Sequence, residues 1–242
     1  MEKENIKMPI QDKILVISLG GSLIVPKGKP DYIFLKKFKK LILKISKKYK
    51  VVIVCGGGKT AREYIQTLEK EHSSNYEKSV VGIVATRLNA LLLATFFGKN
   101  SNSGIPTNIQ DFMNLLKHYR IVICGGSLEK YHIGSTSDGT AASIAARLKV
   151  KWLINLTNVN GLYNKNPLKY KDARFINRIN YRDFRRMLGK VKEKPGQHFV
   201  LDRLATEIVS ANKINVAILN GKNLRSLENF INGKKFVGTI LW

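Results

Sequence analysis

The stretch Ile14-Leu15-Val16-Ile17-Ser18-Leu19-Gly20-Gly21-Ser22 decides how the chain is read, because a strand-like apolar run passes straight into a paired glycine. Glycines at a strand end let the backbone turn tightly and bring its N–H groups close to an anion. The arrangement recurs twice. A run at 51–54 leads into Gly56, Gly57 and Gly58, and one at 121–123 leads into Gly125, Gly126 and Ser127. One such loop is an ordinary turn. Three of them, at strand ends that a parallel sheet lines up on one edge, point to a phosphate-rich ligand. The expectation is an enzyme that handles two phosphorylated molecules at once.

Outward from these runs, strand and helix patterns alternate. Helices are predicted at 32–48, 60–71, 76–97, 111–116, 139–148, 181–188, 201–212 and 224–231, with further strands at 152–156 and 216–219 and a short one at 105–109. The 76–97 helix is apolar on much of its surface, which predicts a central or interface helix. Section 160–178 shows turns at Gly161 and Pro167 and little periodicity. Connections of this length between strands imply a mostly parallel sheet covered on both faces. No Gly/Ser-rich linker divides the chain, so one domain is predicted over 13–242 behind a polar tail at 1–12. Its two lobes, 13–150 and 151–242, share the sheet.

Composition narrows the class. The chain has 242 residues, 44% of them hydrophobic, enough to bury a sizeable core. No apolar stretch is read as reaching the roughly 20 residues of a membrane span, and the N-terminus lacks a signal peptide's apolar core; a cytoplasmic protein is expected. Cys55 and Cys124 each end a strand and read as small buried residues. The net charge of +25 comes from 42 Lys plus Arg against 17 Asp plus Glu. A nucleic-acid partner is the obvious reading of such a charge. Abundant Asn and Ile favour a compositional bias instead, and the lysines at 36–44 alternate with apolar residues as the wet face of a helix. Attraction of anionic nucleotides is a sufficient use for the excess charge.

Six pieces of the sequence resemble the amino acid kinase superfamily and, within it, the archaeal UMP kinases. They are 18–22 (Ser-Leu-Gly-Gly-Ser), 54–65 around the second glycine cluster, 82–90 with Thr86, Arg87 and Asn89, then Thr136-Ser137-Asp138, 157–163 and 201–205. The resemblance implies a three-layer α/β/α sandwich on a mostly parallel central sheet, transfer of the ATP γ-phosphoryl to UMP, Mg²⁺ with the ATP, and a homo-oligomer, a hexamer in the family. It places the acceptor in the first lobe and ATP in the second. Phosphoryl transfer relies on groups that position and neutralise charge, with little general-base work.

Roles follow by position. Gly20 and Gly21 would cradle the transferring phosphoryl through main-chain N–H groups, with Ser22 adding a hydroxyl; Ser18 stands beside them on the ATP side. Gly56, Gly57, Gly58 and Arg62 would hold the acceptor phosphate, the guanidinium fork suiting a phosphate. Gly125, Gly126 and Ser127 would line the acceptor nucleotide, followed by Thr136 and Ser137 as acceptor contacts and Asp138 as organiser of the transfer site. Asp138 reads equally as a helix N-cap, and so does Asp202, near the shared cleft. Thr157, Asn158, Tyr163, Asn166 and Pro167 would meet ATP. Thr86, Arg87 and Asn89 read either as acceptor contacts or as interface hydrogen bonds.

Several residues depart from the pattern. Ser18 stands where many superfamily members carry a lysine that neutralises the moving phosphoryl; Lys59, Lys130 and Lys194 are candidates to replace it. Ser79 stands where an acidic ribose contact is expected, and a carboxylate accepts two hydroxyls better than serine does. The 128–133 loop is longer than the usual turn and contains His132, and Asn160 and Asn166 replace aspartates of the ATP segment. Two alternatives therefore stay open: a sister kinase of another small acid, and a non-catalytic nucleotide-binding protein.

Overall fold

The computed structural model describes residues 13–128, 136–165, 167, 170–189 and 200–242. The first half runs β1 (Ile14–Leu19), α1 (Gly21–Ile24), α2 (Tyr32–Ser46), β2 (Lys50–Cys55), α3 (Gly58–Lys70), α4 (Asn75–Phe97), α5 (Ile109–His118) and β3 (Ile121–Cys124). The second runs α6 (Ser137–Arg147), β4 (Trp152–Thr157), β5 (Leu162–Tyr163), β6 (Phe175–Ile176) and β7 (Arg178–Ile179). It closes with α7 (Tyr181–Gly189), α8 (Arg203–Ala211), β8 (Asn215–Asn220), α9 (Leu224–Ile231) and β9 (Gly238–Leu241).

Each apolar run that ends in glycine is a strand buried on both faces, as parallel strands between helical layers must be. The seven-stranded sheet has the order β3-β2-β1-β4-β8-β9-β7. The first five are mutually parallel; β9 is antiparallel to β8, and β7 is parallel to β9. Side chains alternate between two cores. Ile17, Ile53 and Ile154 face Phe38, Leu93, Phe97 and Phe230 of α2, α4 and α9. Val16, Val52 and Leu153 face Phe112, Ala141, Phe184 and Val209 of α5 to α8. The result is the expected three-layer sandwich.

Cys55 and Cys124 are free and buried, and their side chains belong to opposite cores, so no disulfide can join them. Burial pushes the Cys124 thiol up to about 12, and burial likewise raises Cys55.

Three expectations need correction, and four strands were not expected. Residues 105–108 form no strand, because Pro106 has no N–H to give a ladder and Asn108 instead caps α5 by accepting from the Asp111 N–H. Strand β9 and the short β5, β6 and β7 lie in segments with too few residues to show a period. Helix α3 starts at Gly58 rather than at residue 60, so Arg62 sits one turn in. Helix α4, with the turn after it (Asn75–Asn100, 26 residues, hydropathy 1.9), is long and apolar enough to cross a membrane. It nevertheless packs on α3, β2 and β3, with 44% of its apolar window buried inside the fold. A capping box between Ser74 and Glu77 starts it.

Candidate active site

Parallel pairing brings the C-terminal ends of β3, β2, β1, β4 and β8 to one edge, and the glycine loops with them. The ladder runs one residue past the strands. The Gly20 N–H donates to the Leu156 carbonyl (2.8 Å) and the Gly56 N–H to that of Leu19 (2.9 Å). These two amides are therefore engaged by the sheet and do not face a phosphate, contrary to the cradling role expected of Gly20. Gly21 and Ser22 differ: they open α1, where no preceding turn supplies acceptors for their N–H groups.

The first two loops touch main chain to main chain. A Cβ on Gly21 would lie 2.1 Å from the Gly58 nitrogen and 2.4 Å from the Gly56 oxygen. Gly58 adopts a φ of +64°, and a Cβ there would lie 2.5 Å from the Gly21 oxygen. Only glycine permits this approach. Gly57 caps α3.

The third loop lies against α4. Gly125 packs on Arg87 and Gly126 on Ile83. The Gly126 N–H donates to Thr86 Oγ1 (2.6 Å), the Ser127 N–H to Thr140 Oγ1 (2.8 Å), and Arg87 Nη2 to the Ser127 carbonyl (2.7 Å). Asn89 Nδ2 donates to the Gly56 carbonyl (2.8 Å). Thr86, Arg87 and Asn89 thus act as struts from α4 to two glycine loops, a role outside both readings of the sequence. The Gly126 and Ser127 amides are engaged by these struts and by Thr140.

Beside the loops stand the N-termini of α6 and α8. Thr136, not Asp138, is the N-cap of α6, its Oγ1 accepting from the Gly139 N–H (2.9 Å) and donating to Asp202 Oδ2 (2.6 Å). Asp202 caps α8 through Oδ1, which accepts from the Ala205 N–H (2.7 Å). One hydrogen bond therefore ties the two helix starts together, and Ser137 and Asp138 form the first turn of α6.

Ser18 is buried and donates its hydroxyl to Asp138 Oδ1 (2.6 Å). The Asp138 carboxyl is closely surrounded although the residue keeps part of its surface open. Burial, then the charge of Asp202, push it up to about 7, while the Ser18 hydrogen bond pulls it back.

On the neighbouring strand end, Thr157 lies beside Gly20, and its carbonyl accepts from the Gly221 N–H (2.8 Å). Asn158 is exposed, and Asn160 Oδ1 accepts from Asn220 Nδ2 (2.9 Å). Tyr163 packs edge-on against Phe175 in the β5–β6 ribbon, with Pro167 half-buried further along. Asn166, Lys130, His132 and Lys194 lie outside the described residues. Arg62 is half-buried; burial lowers its guanidinium from the ordinary value, opposed by nearby Glu63. Lys59 pairs with Glu63 (3.2 Å), and the Ser79 hydroxyl donates to the Asn75 carbonyl of its own helix (2.8 Å).

The structure thus gathers Ser18, Gly20, Gly21, Gly56, Gly58, Asp138 and Thr157 at one edge of the sheet, with Gly126, Ser127 and Thr136 bordering them. Thr140 and Asn155 are additions. Asn155 interrupts an apolar strand, which is a legible signal; Thr140 in its alanine-rich helix gave none. Helix N-termini, whose first N–H groups lack intrahelical acceptors, favour anions. Among the described residues, no cluster of three or more His, Cys, Asp or Glu side chains is placed to hold a metal by itself.

The sequence profile of the amino acid kinase family matches residues 13–220. The uridylate kinase of Thermoplasma volcanium is 39% identical over 93% of this chain and 96% of its own, and that of Pyrococcus abyssi 33% identical over 91% and 96%. Among solved structures, the uridylate kinase of Archaeoglobus fulgidus superposes with a TM-score of 0.78 at 30% identity, covering 95% of this chain and 99% of that one. The UMP kinase of Bacillus anthracis, at 20% identity and a TM-score of 0.75, shares the fold, with 95% of each chain covered.

Proposed function

The chain belongs to the amino acid kinase family, and from that premise we propose that it transfers the γ-phosphoryl of ATP to UMP, giving UDP and ADP. The observation that carries the reading is the main-chain contact of Gly21 with Gly58, which brings the loops after β1 and β2 together, while Ser18 at the end of β1 bonds Asp138. A reaction between two anions needs that proximity and fixed donors rather than a strong base.

UMP is held in the 13–150 lobe by the 56–58 loop and Arg62, and lies along Gly125, Gly126, Ser127, Thr136 and Ser137. ATP enters as its Mg²⁺ complex over the 151–242 lobe, against Thr157, Asn158, Tyr163, Asn166 and Pro167. The ion supplies charge neutralisation on the phosphates. The first-turn amides of Gly21 and Ser22 face the moving phosphoryl, and Asp138 orders the transfer site. UDP formation by this enzyme belongs to pyrimidine nucleotide synthesis in the cytoplasm.

The protein works as a homo-oligomer. Val84, Leu88 and Leu91 stand 52%, 56% and 46% exposed on one stripe of α4, at the spacing of an apolar helix face, and a second copy covers them.

Coupled measurement of ADP release with each nucleoside monophosphate, an isopentenyl phosphate, carbamate and amino acids tests the reading. Turnover should be fastest with UMP. Turnover of another acid without UMP would replace it with a sister kinase.

A further inference from the structure

The face of the sheet that meets α6 and α8 is apolar at nearly every position: Val16, Val52, Val54, Val122, Cys124, Leu153, Val216 and Ile218. Ser18 and Asn155 interrupt it. They are 2% and 3% exposed and lie opposite one another in the register of β1 with β4. A buried amide without a partner costs a few kcal/mol, so the bond that Asn155 makes is informative. Its Nδ2 donates to the carbonyl of Val200 at 2.7 Å, two residues before Asp202. Asp202 then turns into α8, accepting from Ala205 and Thr136.

We propose that Asn155 is a positioning residue: by fixing the Val200 carbonyl it presents Asp202 to Asp138, while Ser18 holds Asp138 itself. The two buried polar residues of β1 and β4 thereby hold one carboxylate each. Ser18 acts directly, through a hydroxyl that donates to Oδ1. Asn155 acts through the main chain, and the neighbouring Leu201, fully buried, leaves that turn little freedom.

Consequences for protonation follow with opposite signs. Asp138 is faced by Ser18 from β1 and by Asp202 from the start of α8. Of the other elements packed on α6, β4 carries no titratable side chain, and β2 carries Lys50 at its opposite end and Cys55 in the opposite core. Helix α8 adds exposed Arg203 and Glu207, and α6 itself adds Arg147 in its last turn. Removing the Ser18 donor withdraws support from the Asp138 anion and moves its titration to higher pH. Loosening Asp202 withdraws repulsion and moves it to lower pH.

The inference rests on the proposed transfer chemistry only for its effect on turnover, so the test reads the protein directly. Carboxyl carbon NMR of aspartate-labelled protein gives the titration of Asp138, assigned by its loss in Asp138→Asn. The wild type should titrate near 7. Asn155→Val should lower that midpoint by about half a pH unit or more, and Ser18→Ala should raise it by a similar amount. The acid limb of kcat should move the same way in each variant. Asn155→Ser, which avoids adding bulk and cannot reach the Val200 carbonyl with an amide, carries the same test where Asn155→Val does not fold. An Asp138 midpoint unmoved or raised in the Asn155 variants, whatever their Tm, overturns the positioning role. Failure to form UDP at any pH would remove the kinase reading and leave these midpoints to be judged alone.

Discussion

Gly21 and Gly58 meet without side chains between them, each main chain standing where the other's Cβ would go. That contact joins the turns after β1 and β2 and sets the spacing of the two loops. It also ranks the glycines by cost of substitution.

Gly21→Ala should abolish turnover and lower Tm sharply, because its Cβ would stand 2.1 Å from a main-chain nitrogen that cannot step aside. Overpacking of this kind costs at least 1–3 kcal/mol or so. Gly104→Ala is the control. Nothing lies within 4 Å of its would-be Cβ, so stability should stay within about 0.5 kcal/mol. Thermal melts with ADP-release assays check both.

Asp138→Asn should raise stability at alkaline pH while cutting kcat by orders of magnitude. Burial and then the charge of Asp202 push the native carboxyl up to about 7, against about 3.9 when unfolded. Between those values the native state binds more protons, so wild-type stability falls as pH rises through the window and the whole cost is present above it. The amide carries no charge to bury. Melts at pH 8 should favour the variant by a few kcal/mol, and melts below pH 4 should nearly coincide. Equal melts at pH 8 would contradict the assignment.

Arg62→Ala should raise KM for UMP about thirtyfold, the effect of losing a charge-assisted contact of about 2 kcal/mol, and leave KM for ATP within about twofold. Steady-state kinetics with one substrate saturating separate the two. Equal rises would move Arg62 away from the acceptor.

Much of this arrangement was legible in the chain because local and global signals agree. Val51–Val54 and its counterparts are continuous apolar runs, as doubly covered parallel strands must be. The glycines after them mark close approach. Amide direction was not legible. Gly20 and Gly56 continue the sheet ladder and Gly126 bonds Thr86, facts set by neighbours more than 30 residues away. Strand β9 has four residues and pairs antiparallel with β8, and nothing in Gly238–Leu241 announces a direction. The Asp138 ambiguity resolved through Thr136, whose hydroxyl took the cap and left the carboxyl to Ser18.

Leu88→Glu should dissociate the oligomer, since it places a charge in the middle of the exposed stripe of α4. Sedimentation velocity should show a smaller species for the variant than for the wild type. An unchanged distribution would move the interface elsewhere.

The most direct test of the central claim, that one crevice seats both phosphorylated partners end to end, is calorimetric binding of a bisubstrate analogue in which adenosine and uridine are joined by a polyphosphate. The account predicts a Kd at least about a hundredfold below that of ATP or UMP alone, since the second partner arrives already tethered, and weakening of that binding by Arg62→Ala. Binding no tighter than that of ATP alone, in the wild type, would contradict it.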